Sequence, residues 1–263
     1  MDKTEHTQQC YFAQQLIADH FIFNLKNIPY KLVCWELMCE ERPFRINRNK
    51  AFNGAKKYPW NASIDFILYS EEKNKFIFIE MKNYLKPFST KNILKAFLQT
   101  TYSSIMFKKN YDKKELYEAM ANCFLGAKGE EGGEFLRNTY QFHKLSKIEE
   151  HINLPKNNNF QIDRYIMPFI MQNSSKIKKG INELNSLNSN GLVNKINSYS
   201  KKSEKEITRF LKLETSNPEI MNHFIENENP LEIFEIKNNY KNLISEYEKW
   251  TDNSSELIPK LKY

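Results

Sequence analysis

The stretch SIDFILYSEEKNKFIFIEMKNY, residues 63–84, constrains this chain more than any other. Two apolar runs flank the polar tetrad Glu71-Glu72-Lys73-Asn74, the pattern of an antiparallel hairpin. With the turn at Glu71–Asn74, Ser70 falls opposite Lys75, Tyr69 opposite Phe76, Leu68 opposite Ile77 and Asp65 opposite Glu80. Side chains alternate with period two. One face then carries Ile64, Phe66, Leu68, Ile77, Ile79 and Met81, and the other Asp65, Ile67, Tyr69, Phe76, Phe78, Glu80 and Lys82. Two carboxylates thus meet across the strands at the mouth of a buried hairpin. Like charges directly opposite are destabilising, so a cation must compensate. Lys82 is the local candidate and a divalent metal the other. Two oxygen ligands beside an open cleft suit Mg²⁺, which keeps its remaining positions for water and phosphate. Lys82 could then orient a water or stabilise charge on a phosphate, an arrangement suited to phosphodiester cleavage.

The spacing of Asp65, fourteen intervening residues, then Glu80-Met81-Lys82 resembles the motif of the PD-(D/E)XK, or restriction-endonuclease-like, nuclease superfamily. The resemblance implies an α/β core, a central mixed sheet flanked by helices, over residues 4 to about 173. It says nothing of the C-terminal region beyond, which reads as helical on its own pattern. It implies that Asp65, Glu80 and the main-chain carbonyl of Met81 bind Mg²⁺, with Mn²⁺ as a substitute, and that Lys82 positions or activates the attacking water. Ser63-Ile64 precedes Asp65 where the family motif has a proline. Many members carry a further acid upstream, and Glu36 fits that role ahead of Asp19 and Glu5. The RecB-like branch has a Gln and a Tyr on the following helix. Gln99 and Tyr102 share a face here with Lys95 and Met106, at a spacing one residue shorter than that branch shows, so Gln99 joins the catalytic candidates and Tyr102 the nucleic-acid contacts.

The rest of the chain organises around this hairpin. Phe12, Leu16, Ile17, His20 and Phe21, with Phe23 and Leu25 near the end, predict an N-terminal helix over about 4–26. YKLVCWELMCEE after Pro29 predicts a strand. A helix is expected over about 91–108, capped by Ser89 or Thr90. Residues 112–150 read as helical with a break at GAKGEEGG, and FQIDRYIMPFIMQN as a strand in which Pro168 calls for an edge position or a bulge. A helix follows from Ser174 to Leu187. The Asn/Ser-rich stretch near 185–202 divides a core of residues 1–185, with a helical insertion near 110–155, from a helical region of residues 186–263. Ser203 with Glu206, Asn217-Pro218 and Asn229-Pro230 read there as helix starts.

Composition supports a nucleic-acid partner. The 263 residues carry 39 Lys+Arg against 32 Asp+Glu, a formal net charge of +7, and 40% hydrophobic residues suffice for a core. The loop before the hairpin interleaves Arg42, Arg45, Arg48, Lys50, Lys56 and Lys57 with Phe44, Phe52, Tyr58 and Trp60. It can track a phosphate backbone and stack on bases, or its aromatics can fold back onto the core. Lys176, Lys178 and Lys179 form a second basic cluster. Cys10, Cys34, Cys39 and Cys123 form no CxxC pair, which points to reduced, buried thiols and against zinc. The five histidines show no ligand spacing, and no P-loop is present. The polar N-terminus and the lack of a long apolar run imply a cytoplasmic protein without a membrane partner.

The expectation is therefore a Mg²⁺-dependent nuclease, a DNA endonuclease of restriction or defence type, acting as a homodimer or as a subunit of a larger complex. A RecB-like exonuclease or recombination nuclease is the enzymatic alternative, and a non-catalytic nucleic-acid-binding subunit the other.

Overall fold

The computed structural model describes residues 22–40, 42–46, 63–82, 90–125, 152–168, 174–199 and 230–233. Among these residues seven strands form one mixed sheet: β1 (Ile22–Leu25), β2 (Ile28–Met38), β3 (Arg45–Ile46), β4 (Ile64–Ser70), β5 (Lys75–Lys82), β6 (Gln161–Pro168) and β7 (Leu231–Ile233). Four helices accompany them among the described residues: α1 (Thr90–Asn110), α2 (Lys113–Leu125), α3 (Ser174–Asn185) and α4 (Ser189–Tyr199). The sheet runs β1-β2-β4-β5-β6-β7, with β3 added to β2. Its first half is antiparallel, while β6 lies parallel to β5 and β7 parallel to β6. The architecture is α/β, as the sequence predicts.

The hairpin has the expected register from Ser70–Lys75 through Phe66–Ile79. Asn74 takes a left-handed conformation, φ 46°, which asparagine tolerates better than most residues. Its side chain accepts a hydrogen bond from the Tyr69 hydroxyl at 2.8 Å and donates to the Asn159 carbonyl at 2.8 Å. Every residue of β4 is buried, as befits a strand covered on both faces.

Three expectations need correction. Residues 22–25 belong to a strand: β1 pairs with β2 across Lys26-Asn27, both at positive φ, the geometry that closes a two-residue hairpin. Phe23 is buried between exposed Ile22 and Asn24, so the period there is two. The predicted helical residues 4–21 lie outside the described residues. Pro168 does not make β6 an edge strand, because β6 is flanked by β5 and β7. Among the described residues Pro168 lies two positions past the last β7 pair, Ile166–Ile233, where its missing N–H costs no ladder bond to β7. Asn229-Pro230 precedes strand β7 where a helix start was expected, so the C-terminal region is not wholly helical.

Two clusters hold the layers together. In the first, Phe107 of α1 packs edge-on against Phe76 and Phe78 of β5 and stacks on Phe44 at 5.4 Å, while Leu116 and Met120 bring in α2. In the second, Ile93 and Phe97 of α1 meet Ile166 of β6, Ile177 and Ile181 of α3, Leu192 and Ile196 of α4, and Leu231 of β7. This second cluster includes residues on both sides of position 185. The approach of α3 to α1 is close: a Cβ at Gly180 would stand 2.5 Å from the Ile93 methyl.

Candidate active site

The acidic residues gather where β2, β4 and β5 lie side by side. On β2 and β4, Trp35 pairs with Phe66 and Leu37 with Ile64, which brings Glu36 opposite Asp65. On β4 and β5 the Phe66–Ile79 pair brings Asp65 opposite Glu80 one step further on. Three acidic residues therefore occupy one transverse row of the register across three adjacent strands. All are buried: Glu36 is 1% exposed, Asp65 1% and Glu80 0%. Glu36 has φ 52°, a left-handed conformation costing about 1–2 kcal/mol in a residue with a Cβ. Such a cost is borne where surrounding contacts hold the residue in place.

Those contacts form a chain. The Ser63 hydroxyl donates to Glu36 Oε2. The Ser63 carbonyl accepts from Gln99 Nε2 at 2.7 Å, and the same nitrogen donates to Glu80 Oε2 at 2.9 Å. Asp65 Oδ2 accepts from the Met81 N–H at 2.6 Å, a charge-assisted bond to the neighbouring strand. Helix α1 delivers Gln99 because small buried residues, Ala96, Thr100, Ser103 and Ser104, let it lie close over the sheet.

Asp65, Glu80 and the Met81 carbonyl, the ligands the resemblance implies, would offer only oxygen donors, a chemistry that suits a hard cation such as Mg²⁺. Among the described residues no group of three or more His, Cys, Asp or Glu side chains is arranged to hold a metal, so Glu36 does not complete a three-side-chain cage. Lys82 ends β5, its backbone paired with Pro168, and its side chain lies outside the described residues.

Other sequence-predicted residues are placed differently. The Tyr102 hydroxyl donates to Glu40 Oε2 at 3.0 Å, tying α1 to the end of β2. Arg42 is exposed and lies 3.6 Å from Glu115. Arg45 is exposed on β3. Phe44 is 4% exposed and serves the core, so it is not available to stack on a base. Arg48, Lys50, Lys56, Lys57, Phe52, Tyr58 and Trp60 lie outside the described residues, as do the five histidines, Cys10 and the Lys176 side chain. Lys178 and Lys179 are exposed on α3. Cys34, Cys39 and Cys123 are buried free thiols. Burial pushes the Cys34 and Cys39 thiols well up, with Cys123 adding to the first and Glu40 to the second.

Arg164 escaped the sequence reading. It is 4% exposed on β6, where Phe78 pairs with Arg164 and Glu80 with Ile166, so it shares the sheet face of Glu80 on the adjacent strand. Its Nη1 donates to Thr101 Oγ1 at 2.5 Å and its guanidinium lies 5.4 Å from the centre of the Phe97 ring. On a helix of about 100° per residue, Gln99 and Thr101 lie about 200° apart. Gln99 and Arg164 therefore fasten opposite flanks of α1. The signal in sequence was an arginine at an apolar-face position, between Ile162 and Ile166 in a strand of period two.

Compared with family models, curated proteins and solved structures, the chain matches none. No helix among the described residues is long and apolar enough to cross a membrane.

Proposed function

We propose that this chain is a Mg²⁺-dependent nuclease with a restriction-endonuclease-like core, a DNA endonuclease of restriction or defence type. The observation that carries the reading is the row of buried acidic residues, Glu36, Asp65 and Glu80, set across adjacent strands, with Glu36 joined to Glu80 through Ser63 and Gln99 and Asp65 bonded to the Met81 N–H. Burying several like charges costs several kcal/mol each unless a cation or donors compensate, so a fold that gathers them at one strand end is suited to hold a cation there.

In this reading Asp65, Glu80 and the Met81 carbonyl would hold the ion. Bound there, Mg²⁺ would lower the pKa of a water and neutralise charge on a scissile phosphate. Gln99 and the Met81 N–H keep the two carboxylates oriented. Lys82, two residues past Glu80, would orient the attacking water and offset charge as it develops on phosphorus. The net charge of +7 and exposed Arg45 would favour the polyanionic substrate. Action in the cytoplasm, as a homodimer or as a subunit of a larger complex, belongs to the same proposal.

The test is cleavage of supercoiled and linear plasmid by the purified chain in Mg²⁺ or EDTA, beside Lys82→Ala. Nicking or linearisation that needs Mg²⁺ and is lost in the variant is the expected result. Degradation of the linear form alone would instead make the chain an exonuclease. Metal-independent DNA binding without cleavage, equal in both proteins, would make it a binding subunit.

A further inference from the structure

We infer that Ser63 is a positioning residue that couples Glu36 to the Gln99–Glu80 pair, an inference that rests on the nuclease reading. Ser63 is 2% exposed and stands immediately before β4. It touches the site through two separate groups. Its hydroxyl donates to Glu36 Oε2 on β2, and its main-chain carbonyl accepts from Gln99 Nε2 on α1 at 2.7 Å. The Gln99 amide nitrogen carries two hydrogens, so it serves Ser63 and Glu80 Oε2 together. One serine thus joins β2, β4, α1 and β5 at the row of carboxylates.

The two arms are chemically separable. Ser63→Ala removes only the hydroxyl, which takes away this hydrogen bond to Glu36 and leaves the carbonyl for Gln99. Ser63→Thr restores a hydroxyl at the same place. Glu36 has a left-handed backbone, φ 52°, and an extended alternative would carry its side chain elsewhere, so the hydroxyl selects one placement among those open to the residue. Glu36 stands opposite Asp65 in the register without being one of the ligating groups, so its carboxylate would act on the ion as a neighbouring charge. Partners that orient acidic groups around a metal change metal affinity or activity by about 10–100-fold when removed.

The experiment uses the full chain. Mg²⁺ half-saturation of plasmid cleavage, KM for plasmid, and Mg²⁺ binding by calorimetry without DNA are measured for wild type, Ser63→Ala, Ser63→Thr, Glu36→Ala and the Ser63→Ala/Glu36→Ala double variant, with melting checked by circular dichroism. Ser63→Ala is expected to raise the Mg²⁺ half-saturation about tenfold with KM for plasmid unchanged. Ser63→Thr is expected to restore it, and Ser63→Ala to add nothing once Glu36 is alanine. An unchanged half-saturation in folded Ser63→Ala, a tenfold rise in folded Ser63→Thr, or additive effects in the double variant would each overturn the coupling while leaving the nuclease intact. A wild-type chain that neither binds Mg²⁺ nor cleaves plasmid would remove the nuclease reading and the role of Ser63 with it.

Discussion

The hairpin of β4 and β5 carries charge at both ends and treats it in opposite ways. At the turn, Glu71, Glu72 and Lys73 face solvent, and Lys73 pairs with Glu72 at 2.6 Å while the two side chains remain 45% and 58% exposed. Lys31 reaches Glu71 from β2 at 2.8 Å in a similar setting. At the other end Asp65 and Glu80 are 1% and 0% exposed and bonded to a backbone N–H and a side-chain amide. Pairs of the first kind contribute about 0–1 kcal/mol, because water solvates the charges nearly as well as their partners do. Charges of the second kind have lost water and depend on every remaining contact. The same residue types are therefore interchangeable at the turn and held to one geometry at the mouth.

The largest effect that can break this comparison is on cleavage. Glu80→Gln keeps an oxygen that can accept from Gln99 and removes one of three aligned negative charges. Activity is expected to fall on the order of 10³-fold, the several kcal/mol that metal-held charge stabilisation supplies. The melting temperature is expected to stay the same or rise, since like-charge repulsion is relieved. A variant that still cleaves plasmid, or one that loses activity only by unfolding, would show that the buried end is structural like the turn.

How much of this could be read from the residues depends on the range of the interaction. The register of β4 on β5 was legible because a four-residue turn and period-two alternation fix it locally, and Asp65 and Glu80 followed. Glu36 was legible as an acid on a strand, but its alignment depends on β2 pairing with β4 across a shift between Leu32 and Cys34, which no local pattern announces. Phe21, Phe23 and Leu25 satisfy helical and strand spacing together, and only the Lys26-Asn27 turn decides for β1. Strand β7 is three residues after a proline, which can start a strand as readily as a helix. Ser63 and Arg164 stayed hidden because their roles are made by partners 27 and 63 residues away.

A smaller effect sharpens the comparison from the cationic side. Arg164 is a buried cation on the strand beside Glu80, hydrogen-bonded to Thr101 and set over Phe97. Arg164→Met keeps much of the volume and removes the charge, leaving the buried carboxylates with less compensation. Urea denaturation is expected to show a loss of about 3 kcal/mol in EDTA. Part of that loss should return when Mg²⁺ is added, because a ligand bound only by the folded state stabilises it. A loss below about 1 kcal/mol, or one indifferent to Mg²⁺, would mean that Arg164 serves α1 packing and not the acidic row.

The smallest effect belongs to the turn. Glu72→Ala removes the acidic partner of Lys73, and both side chains are half in water already. The turn itself is kept by backbone and Asn74: the Asn74 N–H donates to the Glu71 carbonyl at 3.4 Å, and the Asn74 side chain is anchored to Tyr69 and Asn159. None of these contacts involves the Glu72 carboxylate. Stability should therefore change by less than about 0.5 kcal/mol, and by still less in high salt, with cleavage unaltered. A shift above about 1 kcal/mol by the same urea titration would show that exposed charge at this end also sets the hairpin, and the contrast between its two ends would then be one of degree.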